Sequence, residues 1–211
     1  MGRYNFLPFG LSSEVVMLGK CTLALALIAL GAVRQDASAG EFIKADKHYR
    51  LKLEDYWTAN PPPGEPLDAA FLCDEKVCGK RVCQGSVCNG FVQFVTGSAQ
   101  LPDMQGTSQS EFFRDFPASE VRSMAEEIAT TAAHSFKELS APRRLHFGRN
   151  DYYVTEYDLL YKTGASRSLM YVVTFNRGYF YQLQFFTPAG ALKDHRPRFE
   201  QVLSSMEFLE Q

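Results

Sequence analysis

The chain has 211 residues, 45% of them apolar and 22% charged, with a net charge of −2 at neutral pH. This composition excludes intrinsic disorder, a collagen-like repeat and a polybasic nucleic-acid binder. Only one stretch approaches membrane length, which excludes a multi-span membrane protein, and 17 Phe with 10 Tyr point to a β-rich core.

The first segment reads as an address. Lys20 precedes an apolar run from Cys21 to Val33, and Ala37-Ser38-Ala39 follows it. That is the pattern of a secretory signal peptide cut before Gly40. The run is shorter than the roughly 20 residues a spanning helix needs, and it lacks the stripe of an amphipathic helix. Cys21 does not fit a lipoprotein anchor, because the apolar run follows it instead of preceding it. Residues 1–16 add nothing the signal needs, so Met17 is an alternative start. The expected organisation is an N-terminal extension and signal over residues 1–39, then one domain over 40–211. That domain is periplasmic or secreted, has no transmembrane segment after cleavage, and is mildly acidic, so nothing steers it to nucleic acid.

Four cysteines remain after cleavage: Cys73, Cys78, Cys83 and Cys88, five residues apart, with Val before each of the last three. In an oxidising compartment an even count favours two disulfides. Zinc would want C-x2-C knuckles, and a redox pair would want C-x-x-C or a helix N-terminus. Three connectivities are open. The nested one, Cys73–Cys88 with Cys78–Cys83, suits a hairpin and is slightly preferred. Against it, odd spacing puts successive cysteines on opposite faces of a regular ladder.

Along the exported part, His48–Leu53 alternates as a half-buried strand, and Trp57 follows as a core plug. Asn60-Pro61-Pro62-Pro63-Gly64-Glu65-Pro66 is a stiff loop. Ala69–Cys73 and Phe91–Val95 read as strands flanking the cysteines, and Gly97–Ser110 as a surface loop. Val121, Met124, Ile128, Ala132, Phe136 and Leu139 recur at helical spacing, so a helix is expected over about 117–139, capped by Asp115 or Ser119. Arg143–Arg149, Tyr152–Lys162, Leu169–Phe175 and Tyr179–Thr187 read as four successive strands. Asn176-Arg177-Gly178 is taken as a three-residue hairpin loop, which pairs Phe175 with Tyr179 and Leu169 with Phe185. A short helix ends near Met206. The fold class is α+β: a single antiparallel sheet, built on the C-terminal meander, with helices on its faces.

A long helix, a meander with the strand Tyr-Phe-Tyr-Gln-Leu-Gln-Phe (179–185), and a short helix running into Ser-Ser-Met-Glu-Phe (204–208) together resemble the PsbP-like superfamily. That group includes the photosystem II extrinsic protein and bacterial DcrB-like exported proteins. The resemblance covers residues 111–209 well and 47–97 in outline. It implies a central antiparallel sheet with helices on both sides and a non-catalytic accessory or binding role. The stapled stretch 73–88 lies outside the family pattern, and no family functional residue has a counterpart here. A cystatin-like or nuclear-transport-factor-like curved sheet is the other candidate fold.

Chemistry is sparse. No nucleophile-elbow, zincin, P-loop or dinucleotide motif occurs. His48, His134, His146 and His195 are scattered, with His134 expected beside the helix stripe. Glu156 and Asp158 share a strand face, as acid–base carboxylates would, although a helix-covered sheet edge explains them as well. Tyr153, Tyr157 and Tyr161 form a row that would suit a carbohydrate or partner platform, but parity joins it to Leu159, Tyr171 and Leu183, so sheet core is the preferred reading. No catalytic, metal or cofactor residue is assigned, and no cofactor is expected. The expected partner is another envelope protein or a small ligand. The competing reading is a small thiol- or metal-dependent periplasmic enzyme.

Overall fold

Strand-forming residues dominate the computed structural model, which describes residues 40–60, 67–79, 82–84, 87–89 and 91–210. The signal-like segment and the proline-rich loop 61–66 lie outside the described residues. In chain order the strands are β1 (Gly40–Lys44), β2 (Tyr49–Leu53), β3 (Trp57–Asn60), β4 (Leu67–Cys73), β5 (Val82–Gln84), β6 (Val87–Asn89), β7 (Gln93–Gln100), β8 (Ser135–Phe147), β9 (Asn150–Leu160), β10 (Ser166–Asn176), β11 (Tyr179–Pro188) and β12 (Glu207–Phe208). The helices are α1 (Glu75–Cys78), α2 (Gln109–Asp115), α3 (Ala118–Ala132) and α4 (Leu192–Ser205).

The class is α+β and every described pairing is antiparallel, but the strands do not form one sheet. Seven of them run in the order β3-β4-β7-β11-β10-β9-β8, while β1-β2-β12 make a separate sheet and β5-β6 a two-stranded ladder. The separation begins after β2. A turn closed by the Trp57 N–H on the Glu54 carbonyl (2.9 Å) carries the chain to the edge of the large sheet. Tyr49 and Leu51 stay behind, buried. On the outer side, Arg50 and Lys52 both bond Glu207, so β12 closes on β2.

Both faces of the large sheet are covered. On one, Phe94, Tyr152, Val154, Val172, Tyr181, Leu183 and Phe185 meet the small sheet and Phe199, Val202 and Leu203 of α4. On the other, Tyr157, Leu159, Leu169, Tyr171, Val173 and Phe175 meet Phe112 and Phe113 of α2 and Val121, Ala125 and Ile128 of α3.

Double coverage explains why the hairpin register differs from the one its apolar pattern predicts. The β10–β11 hairpin pairs Asn176 with Tyr179 and Phe175 with Phe180, one residue out of the expected register. Its loop is two residues, Arg177 and Gly178, with φ of 45° and 84°, the double positive φ of a type I′ turn. The slip moves Leu183 and Phe185 to the face away from Leu169, Tyr171 and Val173. With both strands apolar on both sides, alternation could not reveal it.

The helix is also shorter than its stripe predicts. α3 stops at Ala132, where Ala133 turns extended at ψ 157°. His134 then donates its N–H to the Leu160 carbonyl (2.7 Å), which starts β8 alongside β9. Phe136 and Leu139 are therefore exposed residues of an edge strand, at 38% and 44%. His134 lies beyond the helix and is exposed. Pro117 precedes α3 without a side-chain cap. The strand β7 and the helix α2, started by a Ser108–Glu111 capping box, take the two ends of the expected 97–110 loop and leave 101–108 between them. Pro197 lies inside α4, which starts well before the expected stripe.

Cys73 is bridged to Cys78, with Cα atoms 6.0 Å apart, so the nested pairing is wrong. Cys73 ends β4, and α1 begins two residues later. Asp74 caps that helix by accepting from the Lys76 N–H, and the single turn brings Cys78 back over Cys73.

The β8–β9 turn provides a test of packing. Gly148 has φ 61°, and a Cβ there would stand 2.4 Å from the Ser204 carbonyl oxygen at the end of α4. Gly164 has φ 81° with nothing within 4 Å. In urea unfolding, Gly164→Ala should cost only the left-handed backbone penalty, about 1–2 kcal/mol. Gly148→Ala should cost clearly more, because backbone must move. Equal losses would contradict the close approach of turn and helix.

Candidate functional site

The carboxylate pair sits where β8–β11 run under the start of α4. A polar row crosses these four strands, with Lys137 opposite Asp158, Asp158 opposite Ser168, and Ser168 opposite Thr187. Ser168 is fully buried. It donates to Asp158 Oδ1 (2.5 Å) and accepts from the Gly190 N–H (3.0 Å), so the pair holds the turn between β11 and α4. One register step away, Glu156 is 6% exposed. Its Oε1 accepts from Arg196 of α4 (2.7 Å) and from Arg143 of β8 (3.3 Å). A buried carboxylate needs such partners, and here they come from a helix and an edge strand on either side. The sequence placed Glu156 and Asp158 together correctly. It missed Arg196, Arg143 and Ser168, for which register was the only available signal.

His195, next to Arg196, is 9% exposed, and its Nδ1 has no hydrogen-bond partner among the described residues. Burial, with Arg198 nearby, pushes its pKa down, which favours the neutral ring. The other histidines lie apart. His48 stacks edge-on against Tyr179 at 5.1 Å, and His146 bonds Asp151 (3.1 Å). Among the described residues no group of three His, Cys, Asp or Glu could hold a metal ion. Of the tyrosine row, Tyr157 is buried and Tyr153 and Tyr161 pack beside it, with Leu159 and Tyr171; Leu183 lies on the opposite face.

Arg167 is a second buried charge. It is 8% exposed, and its guanidinium lies 4.1 Å from the Phe91 ring and 5.0 Å from the Phe186 ring. It donates to the Phe91 carbonyl (3.0 Å), while Nε is buried without a partner among the described residues. Burial lowers its pKa to about 10. Cation–π contact and one carbonyl thus stand in for a carboxylate. Phe91 is where the cysteine segment returns to the sheet, so Arg167 clamps the base of that segment.

The third polar cluster joins the two sheets. The Tyr49 hydroxyl lies within hydrogen-bond distance of Thr96 Oγ1 (2.9 Å) and donates to Asp68 Oδ2 (3.2 Å). Desolvation raises the Asp68 pKa above its ordinary 3.8, against Tyr49 and the nearby Lys47 and Lys44. The folded chain then keeps a proton that the unfolded chain has lost, so this group lowers stability as pH rises from 3.8 through its folded pKa. Asp68→Asn keeps an acceptor for Tyr49 and removes the titration. Urea unfolding from about pH 4 to about pH 8 should show the variant gaining on the wild type as pH rises. Parallel curves would contradict the assignment.

Comparison with known proteins agrees with this architecture. Residues 117–208 match the PsbP family, and no curated protein matches the chain. The solution structure of cyanobacterial PsbP from Synechocystis sp. PCC 6803 superposes with a TM-score of 0.51 at 15% identity, over 85% of this chain and 98% of that one. LpqN of Mycobacterium tuberculosis, described as involved in cell envelope biogenesis, gives 0.49 at 10% identity, over 84% and 89%. A protein from Bacteroides thetaiotaomicron gives 0.47 at 11% identity over 82% of this chain, which spans 50% of that protein's length. The similarity to the PsbP family thus runs from the start of α3 to β12.

Proposed function

We propose that the chain is an exported, non-catalytic accessory or binding protein of a bacterial envelope. In this reading residues 1–39 are the N-terminal extension and signal peptide. Residues 40–211 are the PsbP-like domain with its stapled insertion 73–88. The observation that carries the proposal is how the polar groups are employed. Glu156 is held by two arginines, Asp158 and Ser168 tie down the start of α4, and Cys73 and Cys78 are bonded to each other. These groups hold elements together. A nucleophile–base pair would instead need an open, reachable atom. Export is supported by the Ala37-Ser38-Ala39 pattern and by a disulfide, which persists in oxidising compartments. Among the described residues, no helix is long and apolar enough to cross a membrane.

Two measurements on cells test the proposal. N-terminal sequencing of the envelope fraction should begin at Gly40. In-cell cross-linking followed by affinity purification should return an envelope partner that the urea-unfolded chain does not capture. An uncut chain in the cytosol would overturn export. Turnover in a hydrolase and oxidoreductase screen, abolished by Cys78→Ser or Cys83→Ser, would overturn the accessory role in favour of a thiol enzyme.

A further inference from the structure

The cysteine segment holds two further cysteines beyond the Cys73–Cys78 bridge. Cys73 and Cys78 are already joined, which, beyond Cys21 of the signal-like segment, leaves Cys83 and Cys88 as the remaining pair. Backbone pairing sets these two in one ladder, with Val82 opposite Asn89, Cys83 opposite Cys88, and Gln84 opposite Val87. Residues directly opposite in an antiparallel ladder have Cα atoms about 4.5–5.5 Å apart, inside the roughly 4.4–6.8 Å that a disulfide spans. The five-residue spacing of the four cysteines thus falls into two consecutive units, one closing β4 onto α1 and one closing β5 onto β6.

We infer that Cys83 and Cys88 form a second disulfide, independent of the first, so that the connectivity is sequential, neither nested nor crossed. The two thiols give up two protons and two electrons to a disulfide oxidant, such as oxidised glutathione, which is reduced to two thiols. The Cys83–Cys88 bond forms as the oxidant's sulfur–sulfur bond breaks, through a mixed disulfide. Each unit closes a short loop, so the insertion is two small clasps in series, with Arg167 on Phe91 at its base.

The sequence provides a direct readout. Trypsin cleaves after Lys76, Lys80 and Arg81, and the next basic residue is Arg114. In the sequential arrangement, peptide 82–114 is released alone, two hydrogen masses lighter than its reduced form. Peptides 53–76 and 77–80 stay joined to each other. In the nested and crossed arrangements, 82–114 is tethered to both of the others. The full chain is equilibrated in a glutathione redox buffer, alkylated at acidic pH and digested without reductant, so the result does not depend on where the cell sends the protein. A free, lighter 82–114 peptide is expected. A tethered peptide, or one alkylated at both cysteines, would overturn the inference. In Cys83→Ser the one alkylated thiol besides Cys21 should be Cys88, with the 53–76/77–80 pair still joined, and any reshuffled bridge would count against independence.

Discussion

The structure depends on two strands, β10 and β11, that have no solvent face. From Arg167 to Phe175 and from Tyr179 to Thr187 every residue is buried. Their ladder groups are satisfied by β9 on one flank and β7 on the other. Their side chains need two coverings, and the rest of the chain supplies them. Phe112 of α2 stacks on Phe175 at 4.4 Å on one face, and Phe199 of α4 packs on Phe185 at 4.6 Å on the other. Fully burying one such ring contributes about 1.5–3 kcal/mol before packing terms. The connections follow from this need. After β7 the chain crosses one face as α2 and α3 to reach the far edge at β8, then meanders back to β11. It crosses the other face as α4 and ends beside β2.

Much of this was legible from residue pattern, and the failures share a cause. The strands 152–162, 169–175 and 179–187 stand out by composition, and the helix stripe from Val121 to Ile128 is real. What the pattern could not supply was direction when both directions were apolar. The hairpin register turned on Arg177 adopting positive φ, which its side chain does not announce. Phe136 and Leu139 continued the helix spacing by coincidence, and only the bond from His134 to Leu160 shows that the chain had already entered a strand. β1 and β12 were invisible because each acquires strand structure by pairing with β2.

The polar groups behave as the coverings require. Glu156, Asp158, Arg167 and Asp68 each sit where a helix, a loop or the small sheet meets the large one; Glu156, Arg167 and Asp68 are answered by a partner from the approaching element, and Asp158 reaches it through Ser168. Glu156 and Asp158 could be paired by parity from the sequence, but Arg196 and Ser168 come from positions 40 and 10 residues away. That distribution makes the corner a fastening, and it is why the residues most suggestive of acid–base chemistry are assigned to structure. The cysteine segment, outside the PsbP match at 117–208, is fastened separately by its own sulfur chemistry and by Arg167.

The most direct measurement is native-state hydrogen exchange, resolved by residue. Because β10 and β11 are held from both faces and both flanks, their amides from Leu169 to Phe175 and from Phe180 to Phe186 should exchange only through global unfolding. The β1-β2-β12 sheet, resting on one face through Tyr49 and Leu51, should open at lower free energy. Exchange of the β10 and β11 amides before those of the small sheet or α3 would contradict the claim that the rest of the fold is organised around them.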